Sequence, residues 1–240
     1  MCTLAWGVDK EQLWACFNRD ALRSRPEAEK PELLGEPGRR IAYSRDPTGK
    51  GTWLAVSECG YMVALLNNYP DEEGLREIHL KSRGQLVLQI ASQESPMAAD
   101  RLLKQLPLGI FAPFHLFILS NEESIGCSWN GISLEQLDCP GKFWSSSSHL
   151  QDKVVLSRKS YWEKHGAGKV EDAAAAGKIM QECSPVNPAY GLTMDRDDAR
   201  TVSQIRVQMG ASGFVFEYLG RQKNDTGYLE PITLYCPPRV

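Results

Sequence analysis

The chain has 240 residues, of which 42% are hydrophobic and 24% charged, and its formal net charge is −3 at pH 7. This composition supports a sizeable core, and the charge gives no general reason to expect nucleic acid or an anionic membrane as partner. No stretch reaches the ~18 apolar residues of a spanning helix, and the first residues lack the basic region, apolar run and cleavage site of a secretory signal.

Residues 2–7 are apolar and bounded by Gly7 and Asp9. Residues 13–17 form a second apolar run, and the short connector between the two predicts an antiparallel hairpin. Residues 21–50 carry Pro26, Pro31, Pro37 and Pro47 among charged residues and glycines, and read as an irregular excursion. A strand pair at 52–57 and 61–67 turns around Cys59-Gly60. Residues 85–91 and 97–106 read as helices, the second opened by Ser95-Pro96, a cap residue followed by a first-turn proline.

A hairpin at 114–119 and 124–129 and a strand at 132–137 follow. The four serines at 145–148, with His149 after them, read as a flexible turn rather than a Ser/His site. Helices are expected at 153–164 and at 172–182, where alanines fill 173–176. Strands at 201–209, 214–219 and 231–235 close the chain. Strands at both ends with helical groups between them predict an α+β fold, helices outside antiparallel sheets, as one domain over residues 1–240.

There are 7 cysteines, at 2, 16, 59, 127, 139, 183 and 236, with no CxxC pair and no Cys/His ligand spacing. His79, His115, His149 and His165 are scattered. No metal site is expected, and a reducing cytoplasm with mostly buried thiols is the expected setting.

Cys2 directly follows the initiator methionine. Cytosolic processing removes methionine before so small a residue, which leaves a thiol and a free α-amine on one amino acid. Both titrate close to working pH, at about 7.7–8.0 for the amine and about 8.5 for the thiol. A cysteine in an apolar strand is ordinarily core. Position two changes that, because a nucleophile and a base then share a residue. The hairpin brings Arg19 and Asp20 back toward Cys2, where Arg19 would favour thiolate and Asp20 would orient the α-ammonium. Asn67 and Asn68 end a strand and carry amides able to donate to an oxyanion, although asparagine before a proline loop is also ordinary turn chemistry. Arg200 offers a cation for a carboxylate or phosphate.

Met1-Cys2-Thr3-Leu4, Phe17-Asn18-Arg19-Asp20, Ser24-Arg25-Pro26, Gly51-Thr52-Trp53-Leu54 and Asn68-Tyr69 occur in order, followed by Tyr190-Gly191 and Arg200-Thr201. This set resembles the transport-and-Golgi-organisation family, also called NRDE, which is itself similar to N-terminal-nucleophile (Ntn) hydrolases of the bile-salt hydrolase and penicillin acylase group. The resemblance implies a four-layer αββα sandwich with Cys2 at the tip of the first strand. It implies Cys2, Arg19, Asp20, Asn68 and Arg200 as catalytic residues, with Asn68 the oxyanion donor, and Asn18, Asn67, Trp53 and Ser147 on the substrate. The final Glu of the family motif is Ala21 here. Two functions follow as expectations. One is hydrolysis of an amide or thioester through Cys2, with no cofactor required. The other is non-catalytic binding of haem, as cargo, or of an acyl-coenzyme A in the same pocket.

Overall fold

The computed structural model describes all residues except 71–80, 139–141, 185–186, 223–226 and 239–240. His79 and Cys139 lie outside the described residues. Strands β1 (Cys2–Asp9) and β2 (Gln12–Leu22) open the chain, followed by the short β3 (Glu32–Leu34) and β4 (Ile41–Tyr43), then β5 (Leu54–Ser57) and β6 (Tyr61–Asn67). Helices α1 (Arg83–Ala91) and α2 (Pro96–Gln105) precede β7 (Phe114–Ser120), β8 (Ser124–Trp129), β9 (Leu134–Leu137) and β10 (Phe143–Ser146). Helices α3 (Gln151–His165) and α4 (Ala173–Met180) lead into β11 (Ala199–Gly210), β12 (Gly213–Gly220) and β13 (Ile232–Cys236).

The strands make two antiparallel sheets, ordered β10-β1-β2-β11-β12-β13 and β3-β4-β5-β6-β7-β8-β9. Alternation along the strands shows how they stack. Leu4, Trp6, Leu13, Ala15 and Phe17 of the first sheet meet Leu54, Val56, Met62, Ala64 and Phe117 of the second in one buried core. The intervening residues Ala5, Trp14 and Cys16 face outward and pack on Trp162 of α3 and on Ala173, Ala176 and Met180 of α4. On the far side, Tyr61, Val63, Leu65 and Leu116 pack on Leu86, Val87 and Ile90 of α1 and on Ala99 and Leu103 of α2. The result is the four-layer αββα sandwich. Both faces of the central strands are covered, so these strands read as apolar runs with little alternation.

The β1–β2 turn is tighter than the sequence implies. Lys10 and Glu11 alone span it, both at positive φ (46° and 64°), as two-residue hairpin turns require. The helix starts follow their caps: Ser95 accepts from the Ala98 N–H ahead of Pro96, and Asp172 accepts from the Ala175 N–H.

Two expectations need correction. The excursion at 21–50 contains β3 and β4, which extend the second sheet at its edge; its prolines flank these three-residue strands and do not interrupt them. The serines at 145–148 are not all turn, because Ser145 and Ser146 belong to β10, paired with β1. Thr3 and Ser145 face each other there and share a hydrogen bond of 3.0 Å, which satisfies hydroxyls that would otherwise be costly to bury.

Gly51 and Gly84 let the loop before β5 touch the start of α1. The Thr52 N–H donates to the Gly84 carbonyl at 3.1 Å. A Cβ at Gly51 would fall 2.1 Å from the Gly84 carbonyl carbon. No described helix is long and apolar enough to cross a membrane, and the six described cysteines are unbridged.

Candidate active site

The hairpin register sets Cys2 directly opposite Arg19, and cross-strand partners share a face. Both therefore point inward, toward the space between the sheets. They border a cleft of about 640 Å³ together with Trp53, Asn67 and Tyr69, and the start of α1 forms another wall. Cys2 is 8% exposed. Burial pushes its thiol pKa up, while the neighbouring α-ammonium and Arg19 pull against that rise.

Arg19 is almost fully enclosed. Its guanidinium lies 4.1 Å over the Trp53 ring and 3.7 Å from Asp46, yet Nη1 is buried without a hydrogen-bond partner. Burial lowers the Arg19 pKa, opposed by Asp46 and Cys2. Burial also works against the charge on Asp46, but Arg25, bonded to it, and Arg19 hold its carboxyl below the usual carboxylate range.

Asp20 borders the cleft, but its side chain is turned to the back of the sheet. Its Oδ2 accepts from Arg158 Nη2 at 3.0 Å and its Oδ1 from the Thr201 hydroxyl at 2.6 Å. The Arg158–Asp20 pair is enclosed, with side chains 1% and 0% exposed. Arg158 also donates to Thr3 Oγ1 at 3.0 Å and to Ser145 Oγ at 3.1 Å, and Ser145 donates to the Cys2 carbonyl at 3.3 Å. One arginine thus ties β1, β2 and β10 together behind the cysteine. Sequence reasoning missed it. The available signal was spacing: Val154, Arg158 and Trp162 are all buried at intervals of four on α3, so a cation occupies an apolar stripe.

In the chain with Met1 present, the α-ammonium belongs to Met1 and donates to the Tyr69 hydroxyl at 2.7 Å. Burial works against its charge, but Tyr69, Cys2 and Asp20 outweigh it, and its pKa is raised. The Asp20 N–H donates to the Met1 carbonyl at 3.3 Å, which holds the first residue along β2.

The other expected residues divide. Asn67 lines the cleft and its amide donates to Tyr69 Oη at 3.1 Å. Asn68 does not: its amide donates to the Trp129 carbonyl at 3.3 Å, and it lines a separate cavity of about 600 Å³ beside α3. Asn18 is fully buried on the outer face, donating to the carbonyls of Met180 (2.7 Å) and Leu192 (2.9 Å), where it anchors α4. Ser147 donates to the His149 carbonyl at 2.7 Å, and Ser148, not Ser147, borders the cleft. Arg200 lies outside the cleft, with Nη1 donating to the Gln222 carbonyl at 2.8 Å; its neighbour Thr201 is the residue that reaches Asp20.

The cleft also contains Arg25, quoted above only as part of the Ser24-Arg25-Pro26 motif, and two cations that sequence reasoning did not single out, Lys81 and Arg83. Arg83 donates to the Pro113 carbonyl at 2.7 Å. Their signal was the basic run Lys81-Ser82-Arg83-Gly84 directly ahead of a helical pattern. Guanidinium, ammonium and amide groups suit anions and carbonyl oxygens better than a metal cation.

The fold is similar to solved structures of low sequence identity. Conjugated bile acid hydrolase from Clostridium perfringens aligns with a TM-score of 0.57 at 10% identity, over 98% of this chain and 92% of that one. Penicillin V acylase from Agrobacterium tumefaciens gives 0.56 at 12% identity, over 98% and 86%. The Caenorhabditis elegans ortholog of N-acylethanolamine-hydrolyzing acid amidase gives 0.55 at 11% identity, over 86% and 92%. No curated protein matches the sequence. These likenesses place the architecture among Ntn-hydrolase-like folds. The family model described as Transport and Golgi organisation 2 matches residues 1–207, and the chain belongs to that family.

Proposed function

We propose that the protein is an N-terminal-cysteine hydrolase that cleaves an amide or a thioester. The observation that carries this reading is the pairing of Cys2 with the buried Arg19 guanidinium on the inner face of one hairpin, at the edge of an open cleft. Once Met1 is removed, the α-amine resides on Cys2. It takes the thiol proton, and the thiolate sulfur adds to the substrate carbonyl carbon. The resulting oxyanion is received by the Asn67 amide, while Arg19 favours the thiolate from across the hairpin. The C–N or C–S bond then breaks, and the α-ammonium returns its proton to the leaving amine or thiolate. Water, deprotonated by the same amine, attacks the acyl-Cys2 thioester and releases the acid and the free thiol. Asn67 takes the role expected of Asn68 because its amide is the one bordering the cleft.

The similar structures are an amidase, an acylase and a hydrolase by name, and the bile acid hydrolase was crystallised as a variant with the cysteine at its own second position replaced by alanine. These likenesses support the reading through fold alone.

A second reading, binding of haem or acyl-coenzyme A without turnover, is favoured by the cations around the cleft. Acid release from acyl p-nitroanilides and acyl N-acetylcysteamine thioesters separates the two. Hydrolysis by the Met1-processed protein should drop on the order of 10⁶-fold in Cys2→Ala. Turnover that survives this substitution contradicts the hydrolase reading. Saturable haem or acyl-coenzyme A binding without any turnover supports the second.

A further inference from the structure

We infer that the start of α1, with Arg83, Lys81 and Arg19, forms an anion subsite, so that the ligand of this cleft carries a carboxylate, sulfonate or phosphate group besides its acyl group. This inference rests on the reading of the same cleft as a substrate site.

The first amides of a helix have no intrahelical acceptor. Here the Ser82 carbonyl takes the Gln85 N–H at 3.1 Å, and no side chain caps the amides of Arg83 and Gly84. Ser82 makes no side-chain cap bond, and the first turn of α1 contains no acidic residue. By contrast, α2 and α4 are capped by their own side chains, and the uncapped α3 carries Asp152 in its first turn. The uncapped end is fixed against the cleft. Gly84 accepts from the Thr52 N–H, and a Cβ at Gly84 would sit 2.8 Å from the Thr52 backbone nitrogen and oxygen. The approach is thus tight enough to hold Ser82, Arg83 and Gly84 as a wall of the cleft.

An independent observation points the same way. The Arg19 side chain is 5% exposed, borders this cleft, and leaves Nη1 unpartnered. A buried donor without an acceptor is unfavourable, and a bound anion provides the acceptor. Charge agrees. Arg19, Arg25, Lys81 and Arg83 border the cleft against the carboxylates of Asp46 and Asp20. The Asp20 carboxylate is already engaged by Arg158 and Thr201 behind the sheet, which leaves Asp46 to face the four cations. In a chain of net charge −3, such a cluster is a local arrangement and not a reflection of composition. Arg83, held through Nη1 by the Pro113 carbonyl, keeps its other donors for a planar oxyanion, and an uncapped helix N-terminus is a ready anion site.

Calorimetric titration of the intact protein with inorganic pyrophosphate, octanoate, octanesulfonate and, as an uncharged control, octanol tests this. At least one anion should bind saturably and far more tightly than octanol. Its affinity should fall about tenfold or more in Arg83→Gln, severalfold in the exposed Lys81→Gln, and steadily as salt rises. Preference for pyrophosphate assigns a phosphate ligand, for octanesulfonate a sulfonate, and for octanoate a carboxylate. If no anion binds saturably, or if both variants bind as the wild type does, the subsite is overturned. Iodoacetamide labelling of Cys2 in the same samples separates this from the hydrolase reading. A reactive Cys2 without anion binding defeats the subsite alone, and anion binding with an inert Cys2 defeats the nucleophile alone.

Discussion

Two cavities of similar size flank the end of β6. The cleft at Cys2, about 640 Å³, is bordered by guanidinium groups and a helix start. The cavity beside α3, about 600 Å³, is walled by Phe143, Trp144, Trp162 and a buried His115. Adjacent residues serve different ones: Asn67 borders the first and Asn68 the second. Asn18, Arg19 and Asp20 divide in the same manner. Arg19 faces Cys2, while Asn18 anchors α4 and Asp20 binds Arg158 behind the sheet. A motif that is contiguous in sequence is thus split by strand alternation into one residue that faces Cys2 and neighbours that hold the scaffold.

The contrast can be broken most severely at the scaffold. Arg158→Met leaves the Asp20 carboxylate buried without its cation and should destabilise the protein by about 3–5 kcal/mol in urea unfolding. Adding Asp20→Asn should recover part of that loss, a non-additivity that marks a direct pair.

The apolar cavity should reveal itself through pH. Burial lowers the His115 pKa from 6.5 to about 4, so between those values the unfolded chain binds a proton that the folded one does not. Stability should therefore fall by about 3 kcal/mol as pH drops from 6.5 to 4. His115→Phe should flatten this part of the stability–pH curve; an unchanged slope would place the titrating group elsewhere.

The smallest expected effect sharpens the comparison at the asparagines. Asn67→Ala should lower hydrolysis by up to about 10²-fold, and Asn68→Ala by less than about tenfold. The reverse order would move the oxyanion donor to the Asn68 side.

Much of the architecture was legible because its signals are local. Apolar runs marked strands covered on both faces, Ser95-Pro96 marked a helix start, the alanines at 173–176 marked a helix, and the spacing of residues 2 and 19 already placed Cys2 beside Arg19. What stayed hidden depends on partners distant in the chain. Ser145 is a strand residue paired with Thr3 of β1, which lies 142 residues away in sequence, and Arg158 also reaches its hydroxyl. β3 and β4 were masked by surrounding prolines. Arg83 lay ahead of the helix expected at 85–91 and drew no reading, and its place in the cleft wall follows from the contact between Gly51 and Gly84.

Labelling with iodoacetamide at pH 7, read by intact mass and peptide mapping, tests the central claim most directly. With Met1 retained, burial keeps the Cys2 thiol protonated and the half-buried Cys59 and Cys183 should react first. After Met1 removal, Cys2 should become the fastest cysteine in the chain. Labelling of Cys59 and Cys183 while Cys2 of the processed protein stays unmodified would contradict the account.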